Sequence, residues 1–360
     1  MIKNVHIQNF RCFSQFEIEK FERINLFGGK NNSGKTSLLE AMFIGSMPSP
    51  KTIITLRQIR GEPSDFLKAA SDKAWNYLFY KVNDNNRKCS INIEFKDKNA
   101  QIEIERDNES LEAIDYIQSN ETDDMKSILS ENEFKKSALN IYRHHDGNKI
   151  RIASVIASSK GIFSKTFEHT SIQKATFMPA FLRTSSASLA EEYDKSDLED
   201  RSKLVLQCIQ IIDPTIVHIK TLTIGKPDIY IKRKGQQYLP ITLFGEAITR
   251  VVQIILLMIN NSNSTLLIDE IENGIHYISQ LELWRMLFKI SKEFNIQIFA
   301  TTHSYEMIKS FSVAASEIND DVGAYFEFTK DIRTDQFLAV KRTADILKYE
   351  LDQKMELRGE

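Results

Sequence analysis

The sequence predicts an α/β fold: a parallel sheet with helices on both faces, an antiparallel β layer at the N-terminus, and an α+β lobe inserted between the two halves of the core. Three observations carry this. A short apolar strand, Ile24-Asn25-Leu26-Phe27, runs into a glycine-rich loop and then into a helical segment, Ser37 to Ile44. A second apolar run, Thr265-Leu266-Leu267-Ile268, ends in the acid pair Asp269-Glu270. From Leu239 onward strands alternate with helical segments, the pattern of parallel strands joined by crossover helices.

The N-terminal layer rests on Ile2 to Phe10 and Phe16 to Glu19, which alternate apolar and polar residues as half-buried strands do. In the middle of the chain, Ser90 to Phe95 and Gln101 to Glu105 alternate strictly across a polar turn and read as an antiparallel hairpin. Asn108 to Tyr142 is polar and helix-prone. Thr176 to Phe181 reads as a strand broken by Pro179. Ser196 to Ile212 has helical spacing, stopped by Asp213-Pro214. Ile216 to Ile219 and Asp228 to Ile231 suggest two more strands. Val251 to Ile259 is a buried helix, Leu281 to Lys292 an amphipathic one, and Ile296 to Ala300 a strand that ends at Thr301-Thr302-His303-Ser304.

The 360 residues suffice for one large domain or two ordinary ones. With 42% hydrophobic and 27% charged residues, the composition is that of a globular protein and not of a disordered one. The formal net charge of -2 excludes a global basic field, so contact with DNA or RNA would need a local patch. Cys12, Cys89 and Cys208 form no metal-ligand spacing or disulfide framework, which fits a reduced, cytoplasmic compartment. The N-terminus lacks the apolar run of a signal peptide, and Val251 to Ile259 is too short to span a bilayer, so no membrane association is expected.

The loop Gly29-Lys30-Asn31-Asn32-Ser33-Gly34-Lys35-Thr36 has the pattern Gly-x4-Gly-Lys-Ser/Thr, which arises by chance on the order of once per 10⁴–10⁵ positions. An accidental glycine turn is therefore the weaker reading. Such loops wrap backbone N–H groups around phosphates and lead into a helix whose positive end favours anions. Gly29, Asn31, Asn32, Ser33, Gly34, Lys35, Thr36 and Ser37 are expected to hold the phosphates of ATP, with Lys35 at the β- and γ-phosphates and Thr36 on Mg²⁺. Asp269 is expected to complete the Mg²⁺ shell and Glu270 to polarise the attacking water. Alone, that acid pair would read as two solvated carboxylates at a strand end; beside the P-loop it reads as catalytic. A lone histidine is more often structural, but His303 follows a strand at the same sheet edge, which favours a phosphate-sensing role.

Asn9-Phe10-Arg11, Asn25 to Phe43, Leu266 to Tyr277 and Phe299 to Ser304 together resemble the ABC-type ATPases of the SMC/RecF/OLD group. The run from Asp269 to His276 is similar to its OLD-like, phage-defence branch. The resemblance implies a P-loop NTPase core of ABC type formed by residues 1–46 and 239–360, with 47–238 as an inserted α/β lobe partly continuous with it. It implies a D-loop at Ile271 to Gly274, including Asn273, a switch role for His303, and Arg11 near the nucleotide. The signature segment would be Pro240 to Ala247, with Thr242, Gly245 and Glu246 matching and Ala247 departing from the usual glycine, which predicts slow turnover. The Q-loop glutamine has no clear counterpart; Gln58 is a candidate that also reads as a surface residue.

By the same resemblance the chain would form an ATP-sandwiched homodimer or higher oligomer and regulate a separate effector, a nuclease or toxin, in anti-phage defence. A RecF-like ATPase that binds DNA is the alternative. The 47–238 region lacks the sustained heptads of SMC arms. The large insertion and degenerate signature count against a transporter cassette. Tyr305 to Glu360 is expected to be too short for an added nuclease domain. Asp123-Asp124, Asp320-Asp321 and Lys232-Arg233-Lys234 read as solvated surface runs, though the last could touch a phosphate backbone.

Overall fold

Alternation in the N-terminal residues produces the expected hairpin, β1 (Ile2–Phe10) with β2 (Phe13–Ile18). A bulge between Ile2 and Asn4 moves the buried set from Ile2 to Val5 and Ile7. The computed structural model describes residues 1–62, 70–81, 87–107, 137–159, 161–181, 184–318, 322–331 and 333–353. The runs Asp123-Asp124 and Asp320-Asp321, and 108–136 of the helix-prone stretch, lie outside the described residues.

The apolar strand is β3 (Ile24–Gly29), and its loop leads into α1 (Lys35–Ser46), followed by α2 (Pro50–Ile59). The Ser49 hydroxyl caps α2 by accepting the Thr52 amide at 3.2 Å, with a proline in the first turn. β4 (Lys88–Phe95) and β5 (Asn99–Asp107) are the expected hairpin. It grows through β6 (Ser137–His145), β7 (Asn148–Ser158) and β8 (Gly161–Thr166) into a seven-stranded antiparallel sheet ordered β2-β1-β4-β5-β6-β7-β8. Ser137 to Tyr142, expected to be helix-prone, is therefore strand. Leu139 and Ile141 are fully buried, and pairing with β5 on one side and β7 on the other overrides the local preference.

β9 (Ala175–Met178) ends just before Pro179, where a ladder amide is lost. The single helix expected over Ser196 to Ile212 is two, α3 (Ser186–Leu198) and α4 (Ser202–Ile212). Asp200 takes a left-handed φ of 57°, and Arg201 leaves the helical path to donate to the Ile259 carbonyl at 2.6 Å. β10 (Ile216–Ile224), β11 (Lys226–Arg233) and β12 (Tyr238–Pro240) form a separate three-stranded antiparallel sheet. After them come α5 (Glu246–Ile259), β13 (Thr265–Ile268), α6 (Tyr277–Glu293), β14 (Gln297–Thr301), α7 (Tyr305–Ser316), β15 (Gly323–Lys330), β16 (Phe337–Thr343) and α8 (Ala344–Asp352).

The remaining sheet runs β16-β15-β3-β14-β13-β9, parallel throughout except for β16. β3, β13 and β14 are buried on both faces, as parallel strands between two layers must be. Phe27, Leu267, Phe299 and Phe326 share a core with α1 and the seven-stranded sheet. Leu26, Ile268, Ala300 and Tyr325 share the other core with α5, α6 and α7. Phe299 packs edge-on to Phe21 at 5.0 Å and stacks on Phe27 at 6.2 Å, so removing its ring would cost roughly 3–5 kcal/mol. No described helix is long and apolar enough to cross a membrane. The layering sets the carboxyl ends of β3, β14 and β13 side by side, the edge where open α/β sheets bind ligands.

Candidate active site

The glycine-rich loop connects β3 to α1 with backbone that side chains disfavour. Asn32 and Gly34 take φ of 60° and 95°. A Cβ at Gly34 would lie 2.8 Å from the Phe13 ring and 3.1 Å from the Cys12 sulfur, so the β1–β2 turn supports the loop from beneath and only glycine fits. The Cys12 thiol hydrogen-bonds Ser37, and burial raises its pKa. Lys35 is 4% exposed and folds over the loop, its Nζ donating to the carbonyls of Gly29 at 2.9 Å and Lys30 at 2.7 Å, and to the Ser33 hydroxyl at 3.2 Å. Burial lowers its pKa to about 8 against the opposing pull of Asp269, Glu272 and Glu270.

β13 brings its terminal acids to the first turn of α1. The Thr36 hydroxyl donates to the Asp269 carboxylate at 3.0 and 3.2 Å from its two oxygens. The Thr301 hydroxyl donates to the same carboxylate at 2.7 Å. Burial nevertheless holds the Asp269 pKa above the usual carboxylate range, with the Thr301 and Thr36 hydrogen bonds pulling the other way. Glu270 turns the chain with φ 48°, and its carboxylate accepts the Asn273 amide at 2.9 Å. Thr36 and Asp269 thus present adjacent hard oxygen donors, and this donor set fits Mg²⁺.

His303 follows β14. Its amide donates to the Glu272 carboxylate at 2.6 Å, and its ring is hydrogen-bonded to the Gly29 backbone. Burial, followed by the Lys35 charge, lowers its pKa. With Gly29, Lys30, Asn31, Thr302 and Ile308 it lines a cleft of about 220 Å³. The structure therefore gathers Lys35, Thr36, Asp269, Glu270, Asn273 and His303 on one sheet edge.

Thr242, Gly245 and Glu246 are placed elsewhere. Thr242 lies in a 3-10 turn, and Gly245, at φ 91°, opens α5 at Glu246. They line a cleft of about 680 Å³ together with Phe181, Arg250 and Asn273. That cleft and the P-loop cleft share no lining residue. Arg11 is not in the loop either. Its side chain is 6% exposed and pairs at 2.5 Å with Glu40 of α1, which is fully buried and also held bidentately by Arg60 at 2.7 and 2.9 Å. Gln58 is exposed on α2 and lines neither cleft.

Two residues of the arrangement escaped sequence reasoning. Thr301 bridges the acids, and the signal for it is the parallel register, which sets Ile268 beside Ala300 and so Asp269 beside Thr301. Arg250 is 9% exposed and reaches from α5 to the carbonyls of Pro179 at 3.1 Å and Asp269 at 3.0 Å. Its trace in the sequence is an arginine just before the apolar run Val251 to Ile259.

The sequence and fold have known counterparts. Residues 24–309 match the family described as "AAA domain, putative AbiEii toxin, Type IV TA system". An "ATP/GTP phosphatase" of Helicobacter pylori is 26% identical over 86% of this chain and 87% of its own. A "DNA replication and repair protein RecF" of Glaesserella parasuis is 35% identical over 24% of this chain and 22% of its own. Among solved structures, an Smc head bound to the C-terminal winged-helix domain of ScpA superposes with a TM-score of 0.52 at 11% identity, over 98% of this chain and 99% of that one. The chain belongs to the AAA family so described, as an ABC-type ATPase of the SMC/RecF group.

Proposed function

We propose that this ATPase works as a switch: it binds Mg·ATP between two copies of itself, hydrolyses it slowly, and thereby holds or releases a separate effector protein such as a nuclease or toxin in anti-phage defence. The observation that carries the ATPase chemistry is the Thr36–Asp269 contact at 3.0 Å, which joins the P-loop to the acid-bearing strand. Lys35 and the loop amides neutralise the triphosphate, helped by the N-terminus of α1. Thr36 and Asp269 would hold Mg²⁺, which when bound would offset the charge of the phosphates. Glu270, oriented by Asn273, accepts the proton of the attacking water. His303 stands at the γ-phosphate end of the cleft and senses whether it is filled.

The signature segment lines a cleft of its own, and in this reading it completes the nucleotide site of another copy, as the reciprocal contact of a two-fold dimer would. ATP occupancy then biases the contact between copies, a two-state element able to gate a partner. The family description, which includes a putative toxin, favours a defence role. The local similarity to RecF favours the second reading, an ATPase that handles DNA. Purified chain incubated with plasmid, single-stranded DNA and tRNA, with Mg²⁺ and ATP, separates the agent from the switch. No cleavage is expected from the chain alone. Cleavage that persists through purification and disappears with Lys35→Ala would make this chain the effector and end the switch proposal.

A further inference from the structure

The sheet of β10, β11 and β12 has two unlike faces. Ile219, Ile229 and Ile231 are buried in the core shared with α3 and α4. On the opposite face His218 pairs with Lys232, Lys220 with Tyr230, and Lys232 with Tyr238. Cross-strand partners project to one side, so these five side chains share a surface that interleaves cations and rings. The Lys220 ammonium lies 3.9 Å from the Tyr238 ring centroid and the Lys232 ammonium 5.5 Å from it, with the His218 ring edge-on at 6.4 Å.

Charge on this face is left unbalanced. On the seven-stranded sheet, Lys149 pairs with Glu103 at 2.6 Å and Lys88 with Glu105 at 3.1 Å. Arg233, on the inner side of β11, pairs with Asp213 at 2.7 Å. Among the described residues no carboxylate pairs with Lys220 or Lys232. The carboxylate on their face, Asp228, turns back to accept the Ile229 amide at 2.8 Å. In a chain of net charge -2, two ammonium groups flanking a tyrosine without a counter-charge point to a polyanion with aromatic surface of its own.

We infer that this face binds single-stranded nucleic acid, with phosphates on Lys220 and Lys232 and bases stacked against Tyr230 and Tyr238. Rings on an open sheet face take unstacked bases, which a duplex keeps hidden. Three strands span about 10 Å, room for one extended strand rather than a duplex lying across them. β12 runs directly into the turn Ile241–Phe244 and the head of α5, and the Arg233 guanidinium lies 4.8 Å from the Phe244 ring centroid. A bound strand therefore sits one turn from the signature segment.

Fluorescence anisotropy on the full chain tests this with labelled oligothymidylate and oligouridylate, and with a mixed-sequence duplex. Single strands should bind, and more tightly than the duplex. The double variant Lys220→Ala/Lys232→Ala should weaken binding about tenfold or more and reduce the log–log salt slope by about 1.4, roughly 0.7 for each phosphate that is no longer neutralised. Tyr238→Ala should weaken it roughly five- to a hundredfold at an unchanged salt slope, and Tyr238→Phe should restore it. All variants should keep the parent's circular dichroism. Mg·ATP affinity, measured alongside, reports on the nucleotide site independently, so loss of either activity is assigned to its own surface. Absence of single-strand binding by the parent, a preference for duplex, or variants that bind like the parent would each overturn the assignment.

Discussion

The Thr301 hydroxyl accepts the Glu270 amide at 2.8 Å, and this bond anchors the one residue of the acid pair that adopts a left-handed backbone. The same oxygen donates its hydrogen to Asp269. Both acids are thus held by a side chain from the neighbouring strand. Thr301→Val keeps the shape but leaves a buried amide without its acceptor, at a cost of about 1–3 kcal/mol. Its melting temperature should fall, and ATP turnover should fall about tenfold or more through misplacement of Glu270. ATP affinity should change much less, and Thr301→Ser should recover turnover. Wild-type kinetics in Thr301→Val would show that the bridge positions nothing.

Lys35→Ala removes the buried ammonium that crosses the P-loop. Mg·ATP binding, followed by calorimetry, should weaken roughly ten- to a hundredfold, the size of a lost charge-assisted hydrogen bond. An unchanged affinity would remove Lys35 from the phosphate site.

Glu270→Gln retains the shape and the Asn273 contact but cannot take a proton. ATP should bind normally and persist, with hydrolysis reduced by roughly 10²–10⁴-fold. Turnover at the parent rate in a single-turnover assay would exclude Glu270 as the base.

The His303 pKa is lowered first by burial and then by the Lys35 charge, so the ring is neutral at pH 7 and takes up a proton only below its ordinary range. Lys35→Met removes the second of these influences and leaves the carboxylates of Glu272 and Glu270 facing the ring. The His303 titration midpoint, followed by NMR, should then move up. A midpoint unaffected by the substitution would place the two groups too far apart to share a phosphate.

Gly245 has no atom within 4 Å of where a Cβ would stand, so Gly245→Arg adds bulk to the signature cleft without a clash inside the chain, though its positive φ adds strain. Each variant alone, Lys35→Ala or Gly245→Arg, should be inactive. Mixed, they should regain part of the ATPase, because one composite site then carries neither defect. Confirmed mixed dimers without recovery would argue for a site completed within one chain.

Much of this arrangement was legible in the sequence because its determinants are local. The P-loop needs only a strand, a glycine loop and a helix in succession, and Asp269 and Glu270 mark the end of an uninterrupted apolar run. Thr301 was not legible, since its role exists only once β14 lies parallel to β13. β6, β7 and β8 were missed or misread because partners distant in the chain, not local propensity, decide their state. Arg11 is the converse: its motif is local, but its buried partner Glu40 could not be read from the motif.

Met178 supplies the carbonyl that accepts the Asp269 amide at 2.9 Å, and β9 is the outer neighbour of β13. The stretch from 47 to 238 is therefore sewn, through β9, into the parallel sheet beside Asp269. A chimaera that exchanged this whole stretch for a relative's would remove a wall of the active centre along with the surface it meant to transplant. Grafts should preserve Ala175–Met178, and with it the strands β4 to β8 that continue the sheet of β1.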